Sequence, residues 1–299
     1  MMNSFRALFR VSEKIVRLKN SHPDSIIFIA LSGIGDACYS FSVLDELKKE
    51  RNRRVVLLTS EYTSYLGECY ASVDETIVLT PEEENAFRRV FNRADGIFVY
   101  NKISLKAGIF NCFPLTEKSY SKLKKDNKSY IQILSEAVGR KDIKPAYPTV
   151  KSKITAEDFF ENPEKTVVIN PGSNSLSFDN NDIFIKITDA LISEGYTVYT
   201  NVVGDQKPLP HTVQLRCSIE ELYALSKEVK LFVSIRSGIV DFCISSGGSF
   251  LVLYDDSWNG DFKRAYTLHS WKTDSLIYEL DYRETDEILK TVDNHCRIN

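Results

Sequence analysis

The chain has 299 residues, with 38 Lys and Arg against 41 Asp and Glu, so its formal net charge at pH 7 is −3. Hydrophobic residues make up 43% of the chain and charged residues 26%, which excludes a collagen-like, coiled-coil, disordered or disulfide-rich protein. At roughly 100–200 residues per domain, the length favours two domains. The near-neutral charge argues against a nucleic-acid partner, which normally requires a basic excess.

The N-terminus carries basic residues among its apolar ones. Residues 3–20 show a basic amphipathic pattern, in which Arg6, Arg10 and Lys14 interrupt the apolar run that a secretory signal requires. The pattern fits a helix that lies peripherally on the inner face of a membrane, or a helix packed on the domain with a solvated basic face. No apolar run reaches the roughly 18–20 residues that span a bilayer. The six cysteines form no Cys-x-x-Cys pair, which favours reduced thiols and a cytoplasmic location.

Short β-rich apolar runs alternate with helical patterns in both halves of the chain. In the first half the predicted strands are 26–31, 55–59, 76–79 and 96–100, with helices at 37–50 and 82–92. In the second half the predicted strands are 166–170, 197–201, 231–234 and 250–254, with helices at 182–194, 219–227, 238–245 and 285–296. Such alternation predicts an α/β protein with parallel sheets covered by helices on both faces.

The segment 144–148 contains two prolines and reads as an extended connector between the halves. We therefore expect two doubly wound, Rossmann-like domains, 1–148 and 149–299, that face a central cleft. The last helix is free to pack back on the first domain. Ligands of such sheets bind beyond the carboxyl ends of the strands, so the loops after the strands are the candidate sites.

The loop after the first predicted strand reads Leu31-Ser-Gly-Ile-Gly-Asp36. Gly33 and Gly35 permit a tight turn and a close approach of the backbone, and the following helix offers free N–H groups. One alternative is a dinucleotide fingerprint, and hence an NAD- or flavin-dependent oxidoreductase, although Cys38 stands where its third glycine or alanine belongs. Another is a purely structural turn in which Asp36 caps the helix.

Two loops of the second half carry residues suited to phosphate or sugar. In Val167-Val-Ile-Asn-Pro-Gly-Ser-Asn-Ser175, Gly172 frees the backbone, and the donors that follow are Ser173, Asn174 and Ser175. In Leu231-Phe-Val-Ser-Ile-Arg-Ser-Gly-Ile-Val-Asp241, Arg236 ends a strand, and Ser237 and Gly238 begin a helix. A guanidinium beside a helix N-terminus favours a diphosphate, but Arg236 paired with Asp241 as a structural ion pair is the alternative.

A further loop, Tyr254-Asp-Asp-Ser-Trp258, either stacks a nucleoside, with Tyr254 as the contact, or is an ordinary turn with an exposed aromatic. Several motifs are absent from the sequence. It has no Asp-x-Asp pair, no Gly-x4-Gly-Lys-Ser/Thr loop, no His-Glu-x-x-His and no Gly-x-Ser-x-Gly. No metal site is therefore expected, and the NTPase, zinc peptidase and hydrolase classes lose their usual support.

Taken in order, the Gly-Ile-Gly-Asp loop, the Val-Val-Ile-Asn-Pro-Gly-Ser strand and loop, and the late Arg-Ser-Gly-Ile-Val-Asp segment resemble the heptosyltransferase-like glycosyltransferases of GT-B fold. The resemblance covers about residues 24–255. It implies that Asp36 is the general base and that the loop from Pro171 to Ser175 contacts the donor. The family's late motif, Asp-Ser/Thr-Gly-x-x-His, binds the donor, and here it reads Arg236 to Asp241. Arg236 replaces the acid of the motif and adds a positive charge beside the expected diphosphate.

The resemblance also implies an acceptor site in the first domain, for which Gly33, Gly35 and Lys102 are the candidates. Lys102 opens a Lys-rich stretch, 102–128, that either meets the acceptor or is a solvated loop. The implied partners are a nucleotide-sugar donor and a glycan or lipid-linked acceptor of surface polysaccharide biosynthesis, with no cofactor. The competing interpretations are a non-catalytic GT-B-like binding protein and, less favoured, the oxidoreductase.

Overall fold

A computed structural model describes residues 9–10, 13–14, 16–18, 20–21, 25–30, 33–51, 53–91, 96–99, 112–114, 128–137, 140, 143–172, 182–255, 263 and 266–297. The chain divides into two units, Met1–Thr149 and Val150–Asn299. Each unit is built on one sheet.

The described part of the first unit includes the following strands and α-helices. The strands are β1 (Ile26–Ala30), β2 (Val55–Thr59), β3 (Glu75–Val78), β4 (Gly96–Val99) and β5 (Cys112–Pro114). The helices are α1 (Ile34–Arg51), α2 (Leu66–Cys69), α3 (Pro81–Phe91) and α4 (Tyr130–Ala137). Strands β1 and β2 are buried at every position, because their continuous apolar runs occupy the middle of the sheet. Phe41 of α1 packs edge-on against Phe28 of β1, with ring centroids 5.3 Å apart.

The direction of β4 differs from the expectation of a fully parallel sheet. The strand order is β3-β2-β1-β4-β5, and β1, β2 and β3 are parallel. Strand β4 runs antiparallel to β1, with Gly96 opposite Ile29 and Val99 opposite Ile26, and β5 runs antiparallel to β4. After α3 the chain therefore enters β4 at the carboxyl edge of β1. A strand can run parallel to β1 only if the preceding helix carries the chain back to the amino edge of the sheet. The sequence pattern does not specify whether a helix does so.

The second unit contains six strands and four helices in its described part. The strands are β6 (Thr166–Asn170), β7 (Thr197–Asn201), β8 (Val213–Leu215), β9 (Leu231–Ile235), β10 (Ser249–Tyr254) and β11 (Leu276–Asp281). The helices are α5 (Asp182–Ser193), α6 (Ile219–Glu228), α7 (Gly238–Cys243) and α8 (Thr285–Arg297). All neighbours are parallel, in the order β11-β10-β9-β6-β7-β8. This is the Rossmann strand order, with the switch point between β6 and β9.

The last helix, α8, packs into the core of the second unit. Its buried residues Ile288, Val292 and Cys296 join the cluster that includes Ile187 and Leu191 of α5. The Tyr196 hydroxyl donates to the Cys296 carbonyl at 2.7 Å. The apolar face of α8 is thus buried within its own unit, and packing on the first domain, which the sequence left open, is not needed to cover it.

Candidate functional site

The carboxyl edge of the second sheet is the best-described candidate site. Strands β6 and β9 are neighbours there, with Asn170 opposite Ser234, and the chain leaves them toward opposite sides of the sheet. Such a switch point forms a crevice in open parallel sheets. Both loops that the sequence singled out in the second half, beginning at Pro171 and at Arg236, start at this edge.

Gly172 lies where the first of these loops begins. A methyl group at this position would come 2.8 Å from Nε2 of Gln206, a residue of the loop that follows β7. The Gln206 side chain is held in place because its Oε1 accepts from the Val203 amide at 3.2 Å. Gly172 therefore permits two loops of the carboxyl edge to touch.

Arg236 and Asp241 form a buried ion pair. The guanidinium donates from Nη1 to Oδ2 at 2.9 Å and from Nη2 to Oδ1 at 2.5 Å, and both side chains are less than 5% exposed. Nε donates to the Tyr266 carbonyl and Nη1 also to the Ser237 carbonyl, at 3.1 and 3.0 Å. Burial raises the pKa of the Asp241 carboxyl, and the guanidinium opposes that shift.

The fork of Arg236 is thus occupied by protein groups. This is the structural ion pair that the sequence analysis left open. To reach a phosphate, the guanidinium would have to leave Asp241 buried without its partner, at a cost of about 3–5 kcal/mol. In this arrangement Arg236 holds the Ser237 carbonyl at the start of α7.

Ser237 and Gly238 mark the beginning of α7. Ser237 is the N-cap residue and has extended backbone angles, but its hydroxyl makes no capping bond. That hydroxyl is buried and finds no hydrogen-bond partner in the described part of the chain. A buried polar group of this kind calls for a water or a ligand. Binding of the donor by Ser237 therefore stays a prediction.

Tyr254 is buried, which corrects the prediction that it contacts a stacked nucleoside. The residue ends β10 with its ring fully buried, so no face of the ring is open for stacking. Its hydroxyl donates to the Tyr266 carbonyl at 3.1 Å and to the Glu279 carboxylate. Glu279, a residue without any motif signal, also accepts from the Thr267 hydroxyl at 2.7 Å and the Leu268 amide at 2.9 Å. Tyr254 is therefore part of a buried anchor for residues 266–268.

In the first unit, Gly33 precedes α1, and Gly35 and Asp36 lie in its first turn, directly after the carboxyl end of β1. Gly33 is exposed, and a methyl group there would meet no atom within 4 Å. An acidic residue in a first helical turn interacts favourably with the helix dipole, as the capping interpretation of Asp36 requires. The side chain of Asp36 lies outside what the structure describes.

Four predicted site residues lie outside the described residues: Ser173, Asn174, Ser175 and Lys102. In the ranges that are described, no three His, Cys, Asp or Glu side chains are grouped as metal ligands would be. None of the described helices is both long enough and apolar enough to cross a bilayer.

The described residues of the N-terminal segment, between 9 and 21, are helical. Leu18 is buried, whereas Phe9 is 74% exposed and Val16 49% exposed. Lys14 donates to Glu83 of α3 at 2.5 Å, which ties the segment to the first unit. The segment borders a cavity of about 480 Å³ that is also lined by Ile77 of β3, by Thr80, and by Glu82 and Glu83 of α3. The segment therefore packs on its unit while leaving apolar side chains in solvent.

Solved structures similar to this chain are glycosyltransferases. A family 9 glycosyl transferase from Veillonella parvula has a TM-score of 0.54 at 15% identity, with 89% of this chain and 96% of that chain covered. E. coli ADP-heptose heptosyltransferase II has a TM-score of 0.55 at 12% identity, covering 91% and 98%. E. coli heptosyltransferase WaaC, solved with ADP, has a TM-score of 0.52 at 8% identity, covering 90% and 99%.

The chain has the GT-B fold of these glycosyltransferases. The predicted fold class is thereby confirmed, and so is the resemblance to heptosyltransferase-like proteins at the level of fold. No protein-family profile and no curated protein sequence matches the chain. The likeness is therefore carried by the backbone, at an identity that does not transfer individual residues.

Proposed function

We propose that this chain is a glycosyltransferase that moves a sugar from a nucleoside-diphosphate sugar to a hydroxyl of a glycan or lipid-linked acceptor, in surface polysaccharide biosynthesis. The observation that carries the proposal is the GT-B fold shared with heptosyltransferases over about nine-tenths of the chain. One of these neighbours was solved with ADP, which supports a nucleotide donor here. Fold alone does not fix chemistry, so the residues below remain part of the proposal.

The donor is proposed to bind at the carboxyl edge of the second sheet. Ser237 offers a buried hydroxyl without a described partner, and Gly172 lies beside Gln206 at the same edge. Arg236 holds the Ser237 carbonyl rather than the phosphate itself. We expect no metal requirement, because the sequence lacks the Asp-x-Asp pair of many metal-dependent nucleotide-sugar enzymes.

Asp36 is proposed as the general base. Its carboxylate accepts the proton of the acceptor hydroxyl while the hydroxyl oxygen attacks the anomeric carbon. The bond from that carbon to the diphosphate breaks, and the diphosphate leaves with the electron pair. Attack from the side opposite the leaving group inverts the anomeric centre.

The first test is a thermal-shift comparison of ADP, GDP, UDP and NAD with the full chain. A ligand at about 100 times its Kd adds roughly 2.7 kcal/mol, which is several degrees for a domain of this size. Stabilisation by one nucleoside diphosphate supports the proposal, whereas stabilisation by NAD alone contradicts it in favour of the oxidoreductase. Stabilisation without transfer from the matching nucleotide sugar indicates the non-catalytic binding protein, for which the occupied guanidinium of Arg236 is the favouring observation.

The second test addresses the base. Asp36→Asn should lower turnover by about 10²–10⁴-fold with little change in nucleotide affinity. Asp45→Asn is the matched control, since Asp45 lies on the same helix and pairs with Lys49 at 2.6 Å. If Asp36→Asn turns over within a few-fold of the wild type, Asp36 is not the base.

We also propose that the N-terminal segment contacts an anionic membrane surface, which would bring the protein to a lipid-linked acceptor at the inner face. Phe9 and Val16 are seven residues apart, the spacing of one helical face, and both are exposed. Exposed Arg10 and Arg17 flank them. Phe9→Ser with Val16→Ser should abolish sedimentation with phosphatidylglycerol vesicles, whereas Ile192→Ser, at an exposed apolar site of the second unit, should not. Equal sedimentation of all three proteins would contradict the contact.

A further inference from the structure

Three polar side chains are linked across the centre of the second sheet. Asn201, Asn170 and Ser234 lie at the carboxyl ends of the adjacent strands β7, β6 and β9, and each is at most 1% exposed. Asn201 Nδ2 donates to Asn170 Oδ1 at 2.9 Å, and Asn170 Nδ2 donates to Ser234 Oγ at 3.1 Å. Strands this close to the sheet centre otherwise bury apolar residues.

The amide of Asn170 also reaches the loop. Its Nδ2 donates to the Gly172 carbonyl at 3.3 Å, so the same group bonds the first turn of the Pro171 loop and the end of β9. The Ser234 hydroxyl donates in turn to the Ile235 carbonyl at 2.7 Å, one residue before Arg236. One side chain therefore connects the starting points of the two loops that flank the switch point.

The Gly172 carbonyl sets the orientation of this amide. Only Nδ2 can donate to a carbonyl oxygen, so a flipped amide would turn Oδ1 toward Gly172 and lose that bond. A buried polar chain adds little net stability compared with apolar packing, because each group loses its hydration. These hydrogen bonds instead fix the distances between the groups that they join.

We propose that Asn170 is a positioning residue for the nucleotide site, acting through Gly172 and Ser234 to hold the Pro171 loop and the start of the Arg236 loop at a set distance. This inference rests on the proposed function for the identity of the ligand. The holding of the two loops is a property of the protein itself, and it is measurable without a ligand.

The variants remove bonds of this chain. Asn170→Asp keeps the acceptor for Asn201 and loses both bonds that Nδ2 donates, to the Gly172 carbonyl and to Ser234 Oγ. Ser234→Ala loses the connection to β9. Thr200→Val is the matched control, because Thr200 is equally buried on β7 and bonds the Thr212 hydroxyl at 2.6 Å and the Leu209 amide at 3.2 Å.

The first readout is backbone hydrogen exchange of the free full chain. Asn170→Asp should speed exchange of the Arg236 and Val240 amides, which donate to the Leu253 and Ser237 carbonyls at 2.8 and 3.0 Å, about tenfold or more relative to the wild type. Thr200→Val should speed exchange only near residues 209–212. Unchanged exchange at Arg236 and Val240 in Asn170→Asp overturns the positioning role, whether or not a nucleotide binds.

The second readout is the Kd of the nucleoside diphosphate that most stabilises the wild type, measured by calorimetry. Asn170→Asp and Ser234→Ala should each raise Kd by about tenfold, the size of one hydrogen bond, while Thr200→Val stays within twofold. Lowering the pH should restore affinity to Asn170→Asp alone, because the introduced carboxyl regains a proton to donate. Equal losses in all three variants overturn the proposal. If the wild type binds no nucleotide, the proposed function fails, and exchange alone decides the positioning role.

Discussion

Arg236 and Asp241, five residues apart, form a bidentate ion pair across the junction between β9 and α7. Removing one member leaves the other charged and buried. We expect Asp241→Asn to lower the free energy of unfolding by about 3–5 kcal/mol. Replacing both residues, as Arg236→Met with Asp241→Leu, should cost less than Asp241→Asn alone, because no charge then remains buried.

Urea unfolding of the single and double variants measures this relation. Asp293→Asn is the control. Its Oδ1 lies 2.6 Å from Nε of Arg297, whose side chain is 63% exposed, and such surface pairs contribute at most about 1 kcal/mol. A double variant as unstable as Asp241→Asn would mean that the lost packing, not the unpaired charge, dominates.

Gly33 and Gly248 differ in what surrounds them. A methyl group at Gly248 would lie 1.8 Å from the Ser226 carbonyl oxygen, whereas a methyl group at Gly33 would meet no atom within 4 Å. Gly248→Ala should therefore lower the free energy of unfolding by about 1–3 kcal/mol through overpacking. Gly33→Ala meets no such clash and should lower it by about 0.5–1 kcal/mol, the preference of an N-cap for Gly over Ala.

Thermal unfolding checks both values, and the same two proteins then test the predicted acceptor contact. If acceptor approaches the backbone at Gly33, Gly33→Ala raises the KM for acceptor while the protein stays folded at the assay temperature. An unchanged KM removes Gly33 from the acceptor site.

The Asp281 carboxylate accepts from Arg283 Nε at 2.8 Å and from the Arg283 amide at 2.9 Å. The hydrogen bond from the Arg283 side chain, aided by its amide, lowers the pKa of Asp281. A carboxyl with a lowered pKa in the folded state adds stability that is present above its unfolded pKa, near 3.9, and is lost as pH falls through the folded value.

Asp281→Asn should therefore be less stable than the wild type by about 0.5–1 kcal/mol at pH 7, because Arg283 is exposed and the pair is screened. The difference should hold down to about pH 5 and then close as the solution is acidified further. Paired urea titrations across this range measure it. A difference that stays constant down to pH 2 would show that the carboxylate charge plays no part.

The Cys217 thiol precedes α6 and is half-buried. Burial, with a smaller contribution from Glu221, raises its pKa from 9.0 to about 12. Because the thiolate is the reactive form, iodoacetamide at pH 8 should alkylate Cys217 about a thousandfold more slowly than a free cysteine. Mass spectrometry of the Cys217 peptide reads this out, and Glu221→Gln should alter the rate only a few-fold. Alkylation at the rate of free cysteine would mean that the thiol is open to water.

Three strands could be predicted from the sequence to the residue. Strands β2, β6 and β7 begin and end where their β-rich runs do. The central strands β1 and β9 were each predicted to within one residue. Strand β11 was missed, since its sequence alternates and includes Glu279, whose burial depends on the hydroxyls of Tyr254 and Thr267. The direction of β4 was also inaccessible, because alternation fixes which segments are strands and not which way they run.

The site was predicted less well than the fold. The loops after β6 and β9 were identified correctly as lying at one sheet edge, because their positions follow from topology alone. Whether Arg236 faces a ligand or Asp241 depends on a turn between strand and helix, and the five-residue spacing allows both. Asn170 and Ser234 end strands with small polar side chains, a signal that was visible but indistinguishable from ordinary turn chemistry.

The parallel pairing of β6 with β9 has a consequence for how the second unit forms. Asn170 and Ser234 are 64 residues apart in the chain, and the segment between them must already be folded back before their bond can close. Contacts so distant in sequence make chain closure slow, on the order of milliseconds to seconds. During synthesis, β6 emerges well before its partner on that side. Until β9 leaves the ribosome, the edge of β6 that later pairs with β9 has no strand beside it in this sheet.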